Sequence, residues 1–390
     1  MSIHVRENIP CQHLLAYIAL PPPWGNMRMS GKIRLAIAGV GNCASSLIQG
    51  IEYYRNKDLD GMAGIAHPVI GGYKPSDIQV VVAFDVDERK VGLPLHEAIF
   101  SKPNCTAVFQ KNIPDCGVTI QMAPVFDGIA EHMEACPMDR SFRAASADPV
   151  DVTQVLRESQ AEVFVCYLPV GAEEAVRFYA KACLEAGVAM VNCVPVFIAS
   201  HPEFAAEFHR RKLPIVGDDI KSQFGATLLH RMIAHTMEKR GICLKRTYQM
   251  NMGGNTDFLN MLERKRLKSK KISKTEAVQS QLGSPLDEQN IHIGPSDYVP
   301  WLNDNKVCFL RTEWEGWGGV PMHLEARLSV EDSPNSAGVA VDAIRCAKLA
   351  LDRKIGGPLE AISALVMKHP PRQMSDHEAF SAVERFLAEY

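Results

Sequence analysis

The sequence predicts an α/β fold, a doubly wound parallel sheet with an inserted α+β unit. Three observations carry that prediction. Apolar runs at 33–40, 78–84, 162–168 and 188–195 alternate with helix-length stretches over the first half, the pattern of strands covered on both faces by crossover helices. Past residue 240 the character changes, and the run 322–330 alternates Leu324, Ala326, Leu328 and Val330 with polar residues. At 390 residues the chain is also too long for one ordinary core, so two units are expected.

In chain order, residues 33–40 read as a buried strand running into Gly39-Val40-Gly41-Asn42-Cys43-Ala44, after which Leu47, Ile51 and Tyr54 share a helix face. This is a G-x-G-x-x-A fingerprint between a strand and a helix, the setting that binds a dinucleotide. Gly39 permits the tight turn, Gly41 admits a pyrophosphate to the backbone, and Ala44 lets helix and strand pack closely. Asn42 and Cys43 complete that cofactor set. The next strand, 78–84, ends at Asp85, placed to take the ribose hydroxyls of NAD and to repel the extra phosphate of NADP. Asp85 lies beyond the usual ~20-residue spacing, and a Gly- and Pro-containing insertion over 55–77 accounts for it. Its alternative role is to cap a loop.

A helix at 173–185 stopped by Gly187, a helix at 202–212 and a strand at 214–216 continue the alternation. Gly217-Asp218-Asp219-Ile220-Lys221-Ser222-Gln223 follows that last strand, at the sheet edge where doubly wound folds bind ligands. After a helix at 226–240, strands at 307–314 and 322–330 flank Gly316-Trp317-Gly318-Gly319 and predict an antiparallel sheet with one buried face. Asp332-Ser333-Pro334 then opens a helix, with Pro334 at its first position, that runs to Arg353 and stops at Gly356-Gly357.

The formal net charge is −3, so there is no general attraction to nucleic acid. Against that background Arg264 to Lys274 stands out, with seven basic residues in eleven. Ser273 and Glu276 have capping-box spacing and predict a helix beginning at Ser273, with Lys274 in its first turn. Taken alone, such a run is a solvated basic face or a nucleic-acid patch; a helix start also offers an anion site. The eleven cysteines are scattered without a Cys-x-x-Cys pair, which fits a reducing cytoplasm and argues against a disulfide framework or structural zinc. No apolar run reaches the length of a membrane span. Residues 1–30 contain a short apolar run ended by three prolines and are expected to be a disordered extension outside the fold.

The polar residues that could share a cleft with a dinucleotide are rich in lysine: Lys270, Lys274, Lys306 and Lys368, with Asp219, Asp297 and Asp332. Clustered lysines suit a phosphorylated, hydroxylated substrate, one ammonium binding phosphate and another, its pKa lowered by burial, accepting a hydroxyl proton. For any single lysine, a solvated surface position is the ordinary expectation.

Together, Gly39-Val40-Gly41-Asn42-Cys43-Ala44-Ser45-Ser46, Gly217-Asp218-Asp219-Ile220-Lys221-Ser222, Asn251-Met252-Gly253-Gly254-Asn255-Thr256-Asp257, Ser269-Lys270-Lys271-Ile272-Ser273-Lys274 and Glu331-Asp332-Ser333 resemble the motifs of the myo-inositol-1-phosphate synthases. The likeness covers about residues 31–370 and is strongest to the shorter prokaryotic forms. It implies an NAD-dependent, redox-neutral isomerase that converts D-glucose 6-phosphate to 1D-myo-inositol 3-phosphate, by oxidation at C5, enolisation at C6, aldol closure onto C1 and re-reduction. It further implies a Rossmann domain over 31–225 and 334–390, an inserted catalytic and oligomerisation domain over 226–333, and a cytoplasmic homotetramer without nucleic-acid or membrane partners.

By the same resemblance Lys270 is the hydroxyl base, Lys274 and Lys306 hold phosphate and substrate oxygens, and Lys368 stabilises the aldol oxyanion. Asp219 and Asp332 orient lysines or the nicotinamide end. Ser222 and Asn255 supply phosphate donors and join the cofactor-binding set. Gln223-Phe224 departs from the longer eukaryotic pattern at the phosphate loop. Some relatives need a metal cation, but no ligand spacing here names one. Two other classes stay open: a dehydrogenase of an amino-acid semialdehyde, which would accumulate NADH, and a nucleic-acid-binding protein using the basic run, whose affinity would fall steeply with salt.

Overall fold

The computed structural model describes residues 31–389; the N-terminal extension expected over 1–30 lies outside the described residues. The first half lays down β1 (Ile33–Ala38), α1 (Asn42–Tyr53), β2 (Ile78–Asp85), α2 (Leu95–Ala98), β3 (Ile120–Met122), α3 (Val152–Glu158), β4 (Val163–Cys166), α4 (Glu173–Ala186), β5 (Ala189–Asn192), α5 (Pro202–Arg210) and β6 (Pro214–Val216). The second half adds α6 (Ala226–Lys239), β7 (Cys243–Gly253), α7 (Thr256–Asn260), α8 (Lys268–Gln279), β8 (Ile291–Tyr298), β9 (Asn305–Glu315), β10 (Pro321–Glu331), α9 (Asp332–Asp352), β11 (Gly357–Pro358), α10 (Glu360–Val366) and α11 (Asp376–Ala388).

The first sheet is seven-stranded and parallel, in the order β11-β6-β5-β4-β1-β2-β3. Strand side chains alternate between two cores. Leu35, Ile37, Val163, Val165 and Val191 join one with Leu47 and Ile51 of α1 and Val341 and Ile344 of α9. Ala36, Ala38, Phe164, Cys166 and Met190 join the other with Val176, Tyr179 and Cys183 of α4. Each fully buried Val, Ile or Phe contributes about 1.5–3 kcal/mol. The chain leaves β1 in opposite directions toward β2 and β4, so the C-terminal ends of β1 and β4 bound the crevice where such folds take ligands.

The second sheet runs β10-β9-β7-β8. The hairpin of β9 and β10 pairs as the alternation predicts, Val330 opposite Lys306 and Pro321 opposite Glu315. The sheet is mixed, however, and corrects the antiparallel expectation: β8 lies parallel to β7. A parallel pair needs a crossover connection, and α7 and α8 supply it. The basic run therefore sits on a crossover helix facing the crevice.

The expected start of that helix is also corrected. A 3₁₀ turn over Arg264–Leu267 leads directly into α8 at Lys268, so Ser273 lies mid-helix. Its buried hydroxyl donates to Asp219 Oδ2 at 2.5 Å and does not cap its own backbone. Pro334 likewise is the third residue of α9, not the first, because Asp332 already opens the helix. No helix among the described residues is long and apolar enough to cross a membrane.

Candidate active site

A cleft opens between the two sheets, lined by Gly39, Gly41, Asp85, Asp219, Ser222, Asn251, Lys270, Lys274, Lys306, Asp332 and Lys368 among others.

At the floor lies the glycine turn. Gly39 has φ +90°, and a Cβ there would come within 2.6 Å of the Tyr167 carbonyl oxygen; only glycine fits. At Gly41 a Cβ would meet nothing within 4 Å, so the space before its backbone is open. Gly41 caps α1 with no side-chain bond to the helix, which leaves first-turn N–H groups for an anion. Lys90 Nζ donates to the Val40 carbonyl at 2.9 Å and to Asn104 Oδ1 at 3.0 Å, bracing the turn from beneath. Asn42 acts inside the protein, its Oδ1 accepting from the N–H of Cys105 and Thr106 at 2.7 and 2.9 Å. Burial pushes the Cys43 thiol up to about 12, although Ser336 Oγ donates to it and it donates to Ser333 Oγ, so the thiol stays protonated. Asp85 both caps its loop and reaches the turn: Oδ1 accepts from Val86 and Asp87, and Oδ2 from the N–H of Val40 at 2.7 Å. Ala44 is fully buried under β1.

The opposite wall carries the lysines. Asp219 follows β6 with φ +63°, a conformation costing about 1 kcal/mol or more for a non-glycine residue. It is pinned by Asp219 N–H to the Val194 carbonyl and by Lys368 N–H to its own carbonyl, at 3.2 and 2.7 Å. So held, its Oδ1 accepts from Lys270 Nζ at 3.1 Å and Lys368 Nζ at 2.9 Å; Lys368 Nζ also donates to the Ile220 carbonyl. At an effective dielectric near 20 each such attraction is on the order of 5 kcal/mol, against roughly 3–4 kcal/mol of repulsion between the two ammonium groups. The second lysine is thus held only by the difference. Burial raises the Asp219 carboxyl, but Lys270 and Lys368 outweigh it and keep the group ionised. Burial lowers Lys270, yet Asp219 and Asp257 bring it out above its usual value. Lys368 falls to about 8, by burial first and by Lys270 and Lys306, against the pull of Asp219.

Lys274, one turn beyond Lys270, is buried, and among the described residues its ammonium donates only to the Ser296 hydroxyl, at 3.4 Å. Burial, with Lys270, Lys306 and Lys368 around it, drives its ammonium well below the ordinary lysine value. Beside it, the start of α6 lines the cleft at Ala226, Thr227 and Leu228, with Gly225 as an N-cap that makes no side-chain bond. Lys306 opens β9 and pairs with Asp332 Oδ1 at 3.1 Å, and Lys306 outweighs burial in keeping the Asp332 carboxyl ionised. Ser222 lines the cleft half-buried.

Other expected residues are placed differently. Asn255 is spent within the protein, its Oδ1 capping α7 at Asp257 and Phe258 and its amide donating to Asp304 Oδ1 at 2.9 Å. Asp297 is exposed and pairs with Arg264, outside the lysine cluster. Lys265, Lys268 and Lys271 face solvent while Lys270 and Lys274 turn inward, so the solvated-face reading describes one side of this segment, and the anion site read from a helix start at Ser273 loses that start because α8 begins at Lys268. Among the described residues no cluster of three or more His, Cys, Asp or Glu side chains is arranged to hold a metal ion.

Sequence reasoning missed β7. Its inward positions are Thr247, Gln249 and Asn251, which give no apolar alternation to detect. Asn251 lines the cleft, and its Nδ2 is buried without a hydrogen-bond partner among the described residues.

Residues 225–333 match the family model of the myo-inositol-1-phosphate synthases. The inositol-3-phosphate synthase of Mycolicibacterium smegmatis is 52% identical over 92% of this chain and 98% of its own length. That of Mycobacterium tuberculosis is 50% identical over 95% and 98%. Among solved structures, Ari2 superposes with a TM-score of 0.73 at 36% identity, covering 92% of this chain and 98% of its own. The inositol-3-phosphate synthase of Caenorhabditis elegans shares the fold, with a TM-score of 0.71 at 16% identity over 93% and 87%. The chain belongs to the myo-inositol-1-phosphate synthase family.

Proposed function

We propose that this chain isomerises D-glucose 6-phosphate to 1D-myo-inositol 3-phosphate with no net oxidation. The observation that carries the reading is one carboxylate, Asp219, shared by Lys270 and Lys368, with Lys274 and Lys306 on the same wall and the glycine turn opposite. NAD fits the floor: Gly39, Gly41 and the uncapped start of α1 suit its pyrophosphate, and Asp85 suits its ribose. When bound, it supplies reversible hydride acceptance. The metal expected of some relatives finds no such fit in the side chains described, and no step is derived through one.

The chain's own residues account for charge and protons. Lys274, with the free N–H groups at the start of α6, binds the phosphate; the incoming dianion restores a proton to an amine that its neighbours disfavour. Asn251 Nδ2 and Ser222 offer further donors to substrate oxygens. Lys270 and Lys368 titrate as one unit because they share an oxygen. At Nζ that unit takes up the C5 hydroxyl proton, and the member left protonated stabilises the oxyanion that develops on C1 as the ring closes. Lys270, expected as the base, is the more firmly protonated of the two, so the proton lost first is that of Lys368. Lys306, tied to Asp332, completes the electropositive wall. The unit formed by 226–333 brings Lys270, Lys274 and Lys306 to the nucleotide-binding unit formed by 31–225 and 334–390, which carries Lys368 itself. The exposed apolar residues Trp317, Val320 and Met322 beside β10 support assembly of identical chains, as a tetramer.

Incubation with glucose 6-phosphate and NAD, followed by phosphorus NMR, tests the reading. An inositol phosphate should form without NADH accumulating. Failure to form it with any added cation sinks the proposal, and net NADH would favour a dehydrogenase.

A further inference from the structure

Asp219 ties α8 to the Lys368 segment on the cleft side. A second tie runs behind it, and nothing in the chemistry above uses it. Arg231, on α6, is 1% exposed, and all three nitrogens of its guanidinium donate hydrogen bonds. Nε donates to Asp376 Oδ2 at 3.0 Å. Nη1 donates to the Ala277 carbonyl at 2.7 Å, and to Ser280 Oγ and Gln373 Oε1 at 3.3 and 3.4 Å. Nη2 donates to the Met374 carbonyl at 2.6 Å. Ala277 and Ser280 belong to the end of the helix that carries Lys270, Ser273 and Lys274. Gln373 in turn donates to the backbone carbonyl of Lys368 at 2.9 Å. Asp376, at the start of α11, also accepts from Lys221 Nζ at 3.3 Å. Lys221 stands two residues after Asp219 and is anchored by its N–H to the Val366 carbonyl at 2.7 Å.

One buried guanidinium therefore joins every segment that presents a member of the Asp219 cluster. The cluster needs such a brace. Lys270, Lys306 and Lys368 repel the ammonium of Lys274, and Asp219 offsets only part of that repulsion. A fork with five donors of fixed geometry resists separation as an ammonium cannot.

We infer that Arg231 is a positioning residue that sets the spacing of Lys270 and Lys274 from Lys368, with Asp376 and Gln373 as its contacts. The inference rests on the lysine-based reading above. If the brace loosens, water enters between the lysines, and Lys368 moves back toward its ordinary pKa.

The test uses the purified full-length protein, Arg231→Lys and Asp376→Asn, with two readouts. The first is the pH dependence of acetic anhydride labelling at Lys368, resolved by peptide mass spectrometry, which needs no catalysis. The second is the pH profile of kcat, with NAD binding measured in parallel. In both variants the labelling midpoint should rise by half a pH unit or more from about 8, the acid limb of kcat should move with it, and kcat at pH 7.5 should fall about threefold or more while NAD binding persists. Unchanged labelling midpoints and pH limbs, whether or not thermal stability or kcat drops, would reduce Arg231 to a packing role and overturn the inference. If the wild-type protein makes no inositol phosphate, the functional reading fails, and the labelling midpoints still decide the positioning claim alone.

Discussion

The two sheets solve opposite problems. In β4 and β5 of the parallel sheet every residue is buried. In β10 none is: Leu324, Ala326, Leu328 and Val330 are half-buried, and the residues between them are exposed. The inward positions of β7 are buried but polar. One sheet is a core that happens to end at a ligand crevice, whereas the other keeps only small apolar clusters, around Ile291 and Ile293 and around Cys308 and Leu310, and turns β7 to charge and hydrogen bonds. Stability and chemistry are separated in space, so substitutions in each should fail in different ways.

The largest effect expected is Lys270→Ala, which should lower turnover by at least roughly 10²–10⁴-fold while the circular dichroism spectrum and NAD binding stay those of the wild type. Residual activity above about a tenth would remove Lys270 from the proton-transfer unit. Phe164→Ala is the converse. This ring is fully buried and stacks on Tyr179 at 5.1 Å, so its loss should cost about 3–5 kcal/mol in urea unfolding and leave kcat per folded molecule intact. A cost below about 1 kcal/mol would contradict the division of labour.

Next comes pH. Lys368 is shifted down to about 8, so its amine is neutral above that value and charged below it. Turnover should therefore rise with pH through about 8, falling about tenfold per unit on the acid side; a flat profile between pH 6.5 and 8.5 would show that this lysine pair does not gate the reaction. Smallest, Val320→Asp, at the exposed apolar turn that leads into β10, should leave the parallel sheet's unfolding unchanged and shift the protein to smaller species in sedimentation. An unaltered assembly would place the interface elsewhere.

The same contrast governs what could be read from sequence. Fully apolar strands of the parallel sheet announce themselves, and the fingerprint after β1 sits where the spacing predicted, down to the φ of Gly39. The strand β7 did not, because its inward Thr247, Gln249 and Asn251 show no apolar alternation, and β8 offers only Ile291 and Ile293 to a small core before Gly294-Pro295 breaks the pattern. Ser273 looked like a helix cap since spacing alone cannot tell a hydroxyl that bonds its own backbone from one that bonds Asp219. The roles of Arg231 and Gln373 were invisible for the same reason: their partners lie over a hundred residues away or on other helices.

Lys368 reaches Asp219 only after the chain has passed β11, which adds the last strand beside β6. During synthesis, then, β6 emerges as an unpaired edge, and Asp219 waits for its second lysine until residue 368 has left the ribosome. A prematurely terminated product ending before residue 357 should keep most of the parallel layer and the glycine turn, yet be catalytically silent and prone to edge-to-edge association.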